Sequence, residues 1–328
     1  MRRREFISLL GGMALAAPGL AKAETPTKVF RLAVVSPMGL MPAANPNAKV
    51  LLGALSTLGY KLGENLIFEG PTAPPGQLVP PEKTVEELKA RKVDVIVAWG
   101  FPVVAAAKAS GLPTVVAFGI GDPVATGLVR NLAEPGGNVT GISDVATTLS
   151  TKRLSLLKEL LPKLNRVAML WNKDDLGMSL RYEASAKAAQ AIGADVEAVG
   201  VREPDDFDEA FTVMDRGQPD AILMVSDSLT MLNRKRVFDY AAAHRLPAIY
   251  EFDSLVHEGG LMSYGADLKE SFERAAAKVD RIFQGAKPGD LPFEQPTRYL
   301  FVINLKTAKS IGLEIPPTLL ALADEVIE

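Results

Sequence analysis

The chain has 328 residues, 36 lysines and arginines against 39 aspartates and glutamates, a net charge of −3, and no cysteine. That balance offers nothing to attract nucleic acid or an anionic lipid surface, and without cysteine there is no disulfide framework, thiol nucleophile or lipobox lipid anchor. The length suits two compact cores of about 150 residues each.

The amino terminus, MRRREFISLLGGMALAAPGLAKAE, sets three arginines before an apolar run from Ile7 to Leu20 and the small-x-small step Ala21-Lys22-Ala23. This is the pattern of an export signal over residues 1–23, cut after Ala23. The run is shorter than the roughly 20 residues of a bilayer-spanning helix and is broken by Gly11, Gly12 and Pro18. Arg3-Arg4-Glu5-Phe6-Ile7 is similar to a twin-arginine core, and a general secretory signal has the same basic start. A soluble, periplasmic protein is the expectation.

Short, nearly continuous apolar runs follow in order: FRLAVVS, NLIFEG, VDVIVAWG, PTVVAFG, RVAMLWN, DVEAVGV, DAILMVSD, LPAIYEF and GGLMSYG. Such runs are the mark of parallel strands buried on both faces. Between them lie helical patterns. Leu51, Leu55 and Leu58 make one face ahead of Gly59; Phe272, Ala276, Val279 and Phe283 make another ahead of Gly285. EPDDFDEAFTVMDRG opens on proline and acids and closes on Arg-Gly, as the helix dipole favours. Strand and helix alternate in two series, one up to Ile142 and one from Arg166, which predicts two doubly wound parallel-sheet lobes of α/β class. The proline-rich stretch Pro71 to Pro81 reads as a surface loop of the first lobe.

The motifs that suggest chemistry resolve into plainer devices. DPVATGLVRNLAEPGGNVTG lacks the Lys-Ser/Thr of a phosphate loop and the GxGxxG of a dinucleotide loop, so Pro135-Gly136-Gly137-Asn138 reads as a tight turn. His244 and His257 fall near helix ends, where a histidine caps carbonyls more often than it catalyses. Asp205, Asp206, Asp208 and Glu209 sit at a helix start, which favours a solvated first turn over a calcium loop. No paired-histidine or HExxH spacing points to a metal, and Ser226-Asp227-Ser228 lacks a nucleophile elbow.

What remains is a set of polar and aromatic residues at the carboxyl ends of predicted strands, where open parallel sheets receive ligands. They are Ser36, Phe101, Gly119, Asp122, Asn172, Ser226, Asp227, Tyr250, Glu251 and Tyr264. Facing each other from two lobes, these would line a ligand cleft. The competing reading has Phe101 and the tyrosines simply packing the cores.

Long blocks in order carry a family likeness: RRREFISLLGG, DPVATGLVRNLAEPGGNVTG, KRLSLLKELLP, RLPAIYEF, GGLMSYGAD, AAAKVDRIFQGAKPGDLPFEQPT and VINLKTAKSIGLEIPPTLLALADEVIE. The chain resembles the ABC transporter substrate-binding proteins of the TrpX-like, tryptophan/tyrosine-type family. The resemblance implies a type I periplasmic-binding-protein fold with a three-crossing hinge near Ser143, Tyr264 and Pro292 to Thr297. One lobe would span residues 27–142 plus 265–290, the other 143–264 plus 291–328. It further implies a monomer without cofactor or metal, which captures a small carboxylate-bearing, aromatic or amino-acid-like solute and delivers it to an ABC permease. The ten strand-end residues carry over as pocket residues. A ring would stack between Phe101 and Tyr250 or Tyr264; a carboxylate would meet Ser36, Ser226 or the amides near Gly119; an amino group would meet Asp227 or Glu251. Glu134 before the Pro-Gly-Gly turn and Phe101 depart from the family pattern, and the second leaves the solute open. A sensing module for a membrane receptor and an exported enzyme on the same fold are the alternatives.

Overall fold

The computed structural model describes residues 28–71, 79–143 and 145–328; the expected leader, 1–23, and most of the proline-rich loop lie outside the described residues. The first half of the chain runs β1 (Phe30–Ser36), β2 (Gly39–Leu40), α1 (Pro46–Thr57), β3 (Leu66–Glu69), α2 (Pro81–Ala90), β4 (Val95–Trp99), α3 (Phe101–Ser110), β5 (Thr114–Phe118) and β6 (Val139–Gly141). The next series is α4 (Ala146–Leu160), β7 (Arg166–Asn172), α5 (Leu176–Ala191), β8 (Asp195–Val201), α6 (Asp206–Gly217), β9 (Ala221–Met224), α7 (Ser228–Leu232), α8 (Arg234–His244), β10 (Ala248–Tyr250), α9 (Asp253–His257) and β11 (Met262–Ala266). The chain ends with α10 (Leu268–Phe283), β12 (Tyr299–Asn304), α11 (Leu305–Ser310), α12 (Pro317–Leu322) and β13 (Glu325–Ile327).

Two sheets result. In the first, β1 lies between β3 and β4, followed by β5 and β6, all parallel, with β2 folded back antiparallel on the end of β1. The second has the order β13-β12-β11-β10-β9-β7-β8, parallel except for the β11/β12 pair. Each is covered on both faces by apolar clusters, which is why the central strands read as unbroken Val, Ile, Leu and Ala. β8 is an edge strand and half-exposed along much of its length, so its alternation is weaker. β12 and β13 extend the second sheet beyond the strands foreseen from sequence.

α10 shows how sequence sets local structure. Asp267 caps it by accepting the amide of Lys269 at 2.8 Å, and Phe272, Ala275, Ala276, Val279 and Phe283 form the buried stripe that packs on the first sheet. In α1, Asn45 caps and Pro46 follows, while Leu51 and Leu55 are buried. Leu58, expected on that face, is instead the C-cap residue and stays 47 % exposed. The helix ends one position too early to turn it inward.

The chain crosses between the sheets three times, and the crossings lie side by side. The amide of Ser143 donates to the carbonyl of Glu294 at 2.7 Å, and that of Asp267 to the carbonyl of Arg298 at 3.1 Å. Glu270, on the first turn of α10, accepts the amides of Thr297 and Arg298. Burial pushes the Glu270 carboxyl up, but the bonds from Thr297 and Arg298 outweigh it and hold it below the ordinary value. At two places the strand pairing moves the expected boundaries. Gly265 and Ala266 pair within β11 of the second sheet, whereas Leu291 to Glu294 stay against the first, with Phe293 buried in its core. The Pro135-Gly136-Gly137 turn also packs on the first-sheet side. Both glycines adopt φ of +70°, and the amide of Gly136 donates to Gly289.

Candidate ligand-binding cleft

Between the carboxyl ends of the two sheets lies a cavity of about 120 Å³, room for one ring or a few waters. From the first sheet it is lined by Pro37 and Met38 after β1, Trp99 and Gly100 at the end of β4, and Phe118 and Gly119 at the end of β5. From the second come Asp175, Ser226, Asp227, Ser228 and Phe252. A larger groove of about 460 Å³ lies between α8 and α11, but second-lobe residues alone line it. Of these two, the smaller cavity is the one that joins both lobes at strand carboxyl ends, where doubly wound sheets bind ligands.

The first-lobe wall is aromatic. A register shift between Ala98 and Trp99 brings Trp99 opposite Phe118, and the two rings lie 4.9 Å apart, backed edge-on by Phe272 of α10. Phe118 also meets Phe252 of the second lobe at 5.4 Å in a T-shaped contact, so the lobes touch across the cavity. The same wall presents the starts of two helices through Asn47 of α1 and Gly100, the N-cap of α3, a partial positive charge for a bound anion.

The second-lobe wall is polar and acidic. Asp175 caps α5 by accepting the amide of Met178 at 3.2 Å; burial, and then the charge of Asp227, raise its carboxyl from 3.8 to about 7. Asp227 caps α7 in a reciprocal box with Thr230 and accepts the side-chain amide of Asn172 at 2.6 Å. Burial raises Asp227 too, against those bonds. The Ser226 hydroxyl is buried with no partner among the described residues, and it lines the cavity. A bound polar atom would satisfy it.

Behind this wall sits a buried ion cluster. Glu251, 2 % exposed, accepts Arg153 at 2.9 Å, Arg181 at 2.6 Å and the amide of Ser226 at 3.2 Å, while Arg153 also donates to the carbonyl of Tyr264 at 2.7 Å. The cluster ties α4, α5 and the end of β11 to the loop that carries Ser226 and Asp227. Removing one member of a buried ion cluster is costly, because the charges that stay behind lose compensation.

The ten residues expected to line a pocket therefore divide. Gly119, Ser226 and Asp227 line the cavity. Asn172 holds Asp227, and Glu251 holds Ser226, each one layer back. Ser36 spends its hydroxyl on the β1–β2 turn, accepting from Met38 and donating to Gly39, so that Met38 faces the cavity. Asp122 is exposed and closes its own turn by accepting the amides of Val124 and Ala125. The rings of Phe101, Tyr250 and Tyr264 go elsewhere. Phe101 packs on the α2–α3 side of the first sheet, Tyr250 is sealed in the core against Phe238 and Gly260, and Tyr264 stacks on Tyr299. The rings that line the cavity are those of Trp99, Phe118 and Phe252. Each of the three closes an apolar run in the sequence, and Asp175 is the capping residue after the run RVAMLWN. Those positions were the available signal.

The bland readings of other motifs also have their geometry. His244 and His257 each hydrogen-bond the carbonyl four residues earlier in their own helices, and His257 also meets Glu325 at 2.9 Å. Asp205 is the N-cap residue of α6, with Asp206, Asp208 and Glu209 in its first turn. Among the described residues no helix is long and apolar enough to cross a membrane.

A family model described as "ABC transporter substrate binding protein" matches residues 34–327. A protein of Clostridioides difficile named "Tyrosine-binding protein" is 24 % identical over 274 residues, covering 83 % of this chain and 78 % of its own. A conserved domain protein of Vibrio cholerae has the same fold at a TM-score of 0.82 with 25 % identity, over 92 % of this chain and 99 % of that one. An ABC domain from Streptococcus pneumonia, solved in complex with L-Trp, aligns at a TM-score of 0.78 with 24 % identity, over 92 % and 100 % of the two chains.

Proposed function

The chain belongs to the ABC transporter substrate-binding proteins and has the type I periplasmic-binding-protein fold, and from that premise we propose that it is an exported importer component that captures an aromatic amino acid or a close relative between its lobes. The observation that carries the ligand class is the cavity itself, with Trp99, Phe118 and Phe252 around a ring-sized space and Asp175, Asp227 and the unpaired Ser226 hydroxyl on the opposite side.

The two walls suit the two ends of a zwitterion. A ligand ammonium pairs with Asp175 and Asp227, and its carboxylate accepts from amides at the starts of α1 and α3. The ring fills the space between the aromatic side chains. The relatives that bind tyrosine and L-Trp by name support the same class.

In the mechanism, the open form takes ligand on one wall and the three adjacent crossings bend. The second wall then adds its contacts, so that binding energy becomes a shift toward the closed population. A membrane permease reads that closed shape. The basic, apolar leader sequence supports delivery to the periplasm, and the protein acts there as a monomer without catalysis.

Tryptophan fluorescence tests the ligand site directly, since the chain has two tryptophans, Trp99 in the cavity wall and Trp171 stacked on Tyr182 in the second core. Titration with L-phenylalanine or L-tyrosine, with excitation where only tryptophan absorbs, changes the signal in the wild type. The change disappears in Trp99→Phe and persists in Trp171→Phe. A response that stays with Trp171 alone would move the ligand elsewhere.

A further inference from the structure

Across the cleft the two lobes meet backbone to backbone where the start of α5 rests on the loop after β5. A Cβ built on Gly177 would lie 2.8 Å from the carbonyl oxygen of Ile120, and one built on Gly121 would lie 3.0 Å from the carbonyl oxygen of Gly177. Both distances lie at or below the limit that real side chains tolerate, and these nearest atoms are main chain on both sides, which cannot swing away; next to the Cβ built on Gly177, at 3.2 Å, comes Oδ1 of Asp175. Gly121 also holds a φ of +69°.

Gly177 is different, because its helical conformation does not call for glycine. In the first turn of a helix, alanine would be the more stabilising residue. The helix therefore carries a weak residue at the point where the facing lobe comes closest. Two positions earlier in the same turn stands Asp175, whose carboxyl lines the cavity.

We propose that Gly121 and Gly177 form a latch: their missing side chains let the first turn of α5 seat on the loop after β5, so that the lobes close fully only while both positions stay bare. The inference rests on capture by closure. It adds that the start of α5 both lines the cavity, through Asp175, and makes the closing contact, through Gly177. A ligand that draws Asp175 inward seats Gly177 in the same movement, which links occupancy of the cavity to the closed shape.

The test uses opposed signs. Gly177→Ala raises the melting temperature of the ligand-free protein by strengthening α5, yet it opposes closure; Gly177→Val, with the larger wedge, opposes it more. Closure is read from the radius of gyration in small-angle X-ray scattering, with and without saturating L-tyrosine, which leaves every residue lining the cavity in place. The wild type compacts when ligand is added; Gly177→Val loses most of that compaction, whereas Gly53→Ala, in open space on α1, compacts as the wild type does.

If the wild type shows no compaction at saturating ligand, closure itself is overturned, and the latch with it. If the wild type compacts and Gly177→Val compacts equally, the latch alone is overturned and capture by closure stands. A loss of melting temperature in Gly177→Ala would likewise count against the latch, since it would show that the glycine serves the packing of the second lobe.

Discussion

The two lobes share a strand order of the doubly wound kind, yet they furnish the cleft in opposite ways. The first offers Trp99, Phe118, Met38 and two helix starts, with no charged side chain among the described residues that line the cavity; the second offers Asp175 and Asp227, backed by Glu251, Arg153 and Arg181. The difference teaches a division of labour. An apolar wall is stabilised by packing and tolerates modest change, whereas an acidic wall holds its geometry only while a buried network stays complete.

The sharpest way to break this contrast is to remove the centre of the network. Glu251→Ala takes a buried carboxylate from between Arg153 and Arg181 and the amide of Ser226, and is expected to cost about 3–5 kcal/mol, measured by denaturant unfolding. A cost near 1 kcal/mol would mean that the cluster is solvated in solution. On the opposite wall, Trp99→Ala should weaken binding of L-tyrosine at least tenfold, about 1.4 kcal/mol, with the second-lobe core unperturbed. Equal affinity in calorimetry would remove the ring from that wall.

The acidic wall further predicts a pH dependence that the apolar wall cannot show. Burial, and then Asp227, raise Asp175 from 3.8 to about 7, so the folded protein retains a proton that the unfolded chain has released. Its contribution to stability is therefore full below about pH 4 and declines as pH rises toward 7. A ligand ammonium needs the ionised form, so affinity should rise between pH 5 and about 7 and then level, with proton release visible in calorimetry in buffers of different ionisation enthalpy. Affinity that is flat across that window would separate Asp175 from the ligand.

The smallest expected effect lies away from the cleft. The hydrogen bond to Glu325 raises His257 above its ordinary value, against a smaller opposing effect of burial. The stabilisation is present below the unfolded pKa and fades as pH rises through the folded one. Because both groups are about half exposed, His257→Gln should cost no more than about 0.5 kcal/mol below pH 6 and nothing above pH 8, by thermal melting. A larger loss at pH 8 would point to packing instead of charge.

Much of the fold was legible because burial on both faces leaves a simple trace. Runs such as FRLAVVS and RVAMLWN are central strands, and the Phe272 to Phe283 stripe is the inner face of α10. The cleft was legible at the level of position but not of side chain. Reading strand ends led to Ser226, Asp227 and Gly119, which line it. The same rule chose Phe101, Tyr250 and Tyr264 over Trp99, Phe252 and Phe118 because a strand end shows where the chain arrives and not which face a ring takes. At β4 that face depends on a register shift between Ala98 and Trp99, which only the pairing with β5 defines. Asp175 was hidden for another reason: in sequence it is one aspartate of Lys173-Asp174-Asp175, and only burial distinguishes it from its exposed neighbour.

The central claim is that a zwitterionic aromatic solute is held between an aromatic wall and an acidic one. Titration calorimetry of the purified protein with L-tyrosine, L-tryptophan, benzoate and a panel of sugars at pH 7.5 tests it most directly. At least one of the two amino acids binds, benzoate, which lacks an ammonium group, binds more weakly or not at all, and the amino-acid signal is lost in Asp227→Asn. Binding of sugars alone, or benzoate bound as tightly as the amino acids, would contradict it.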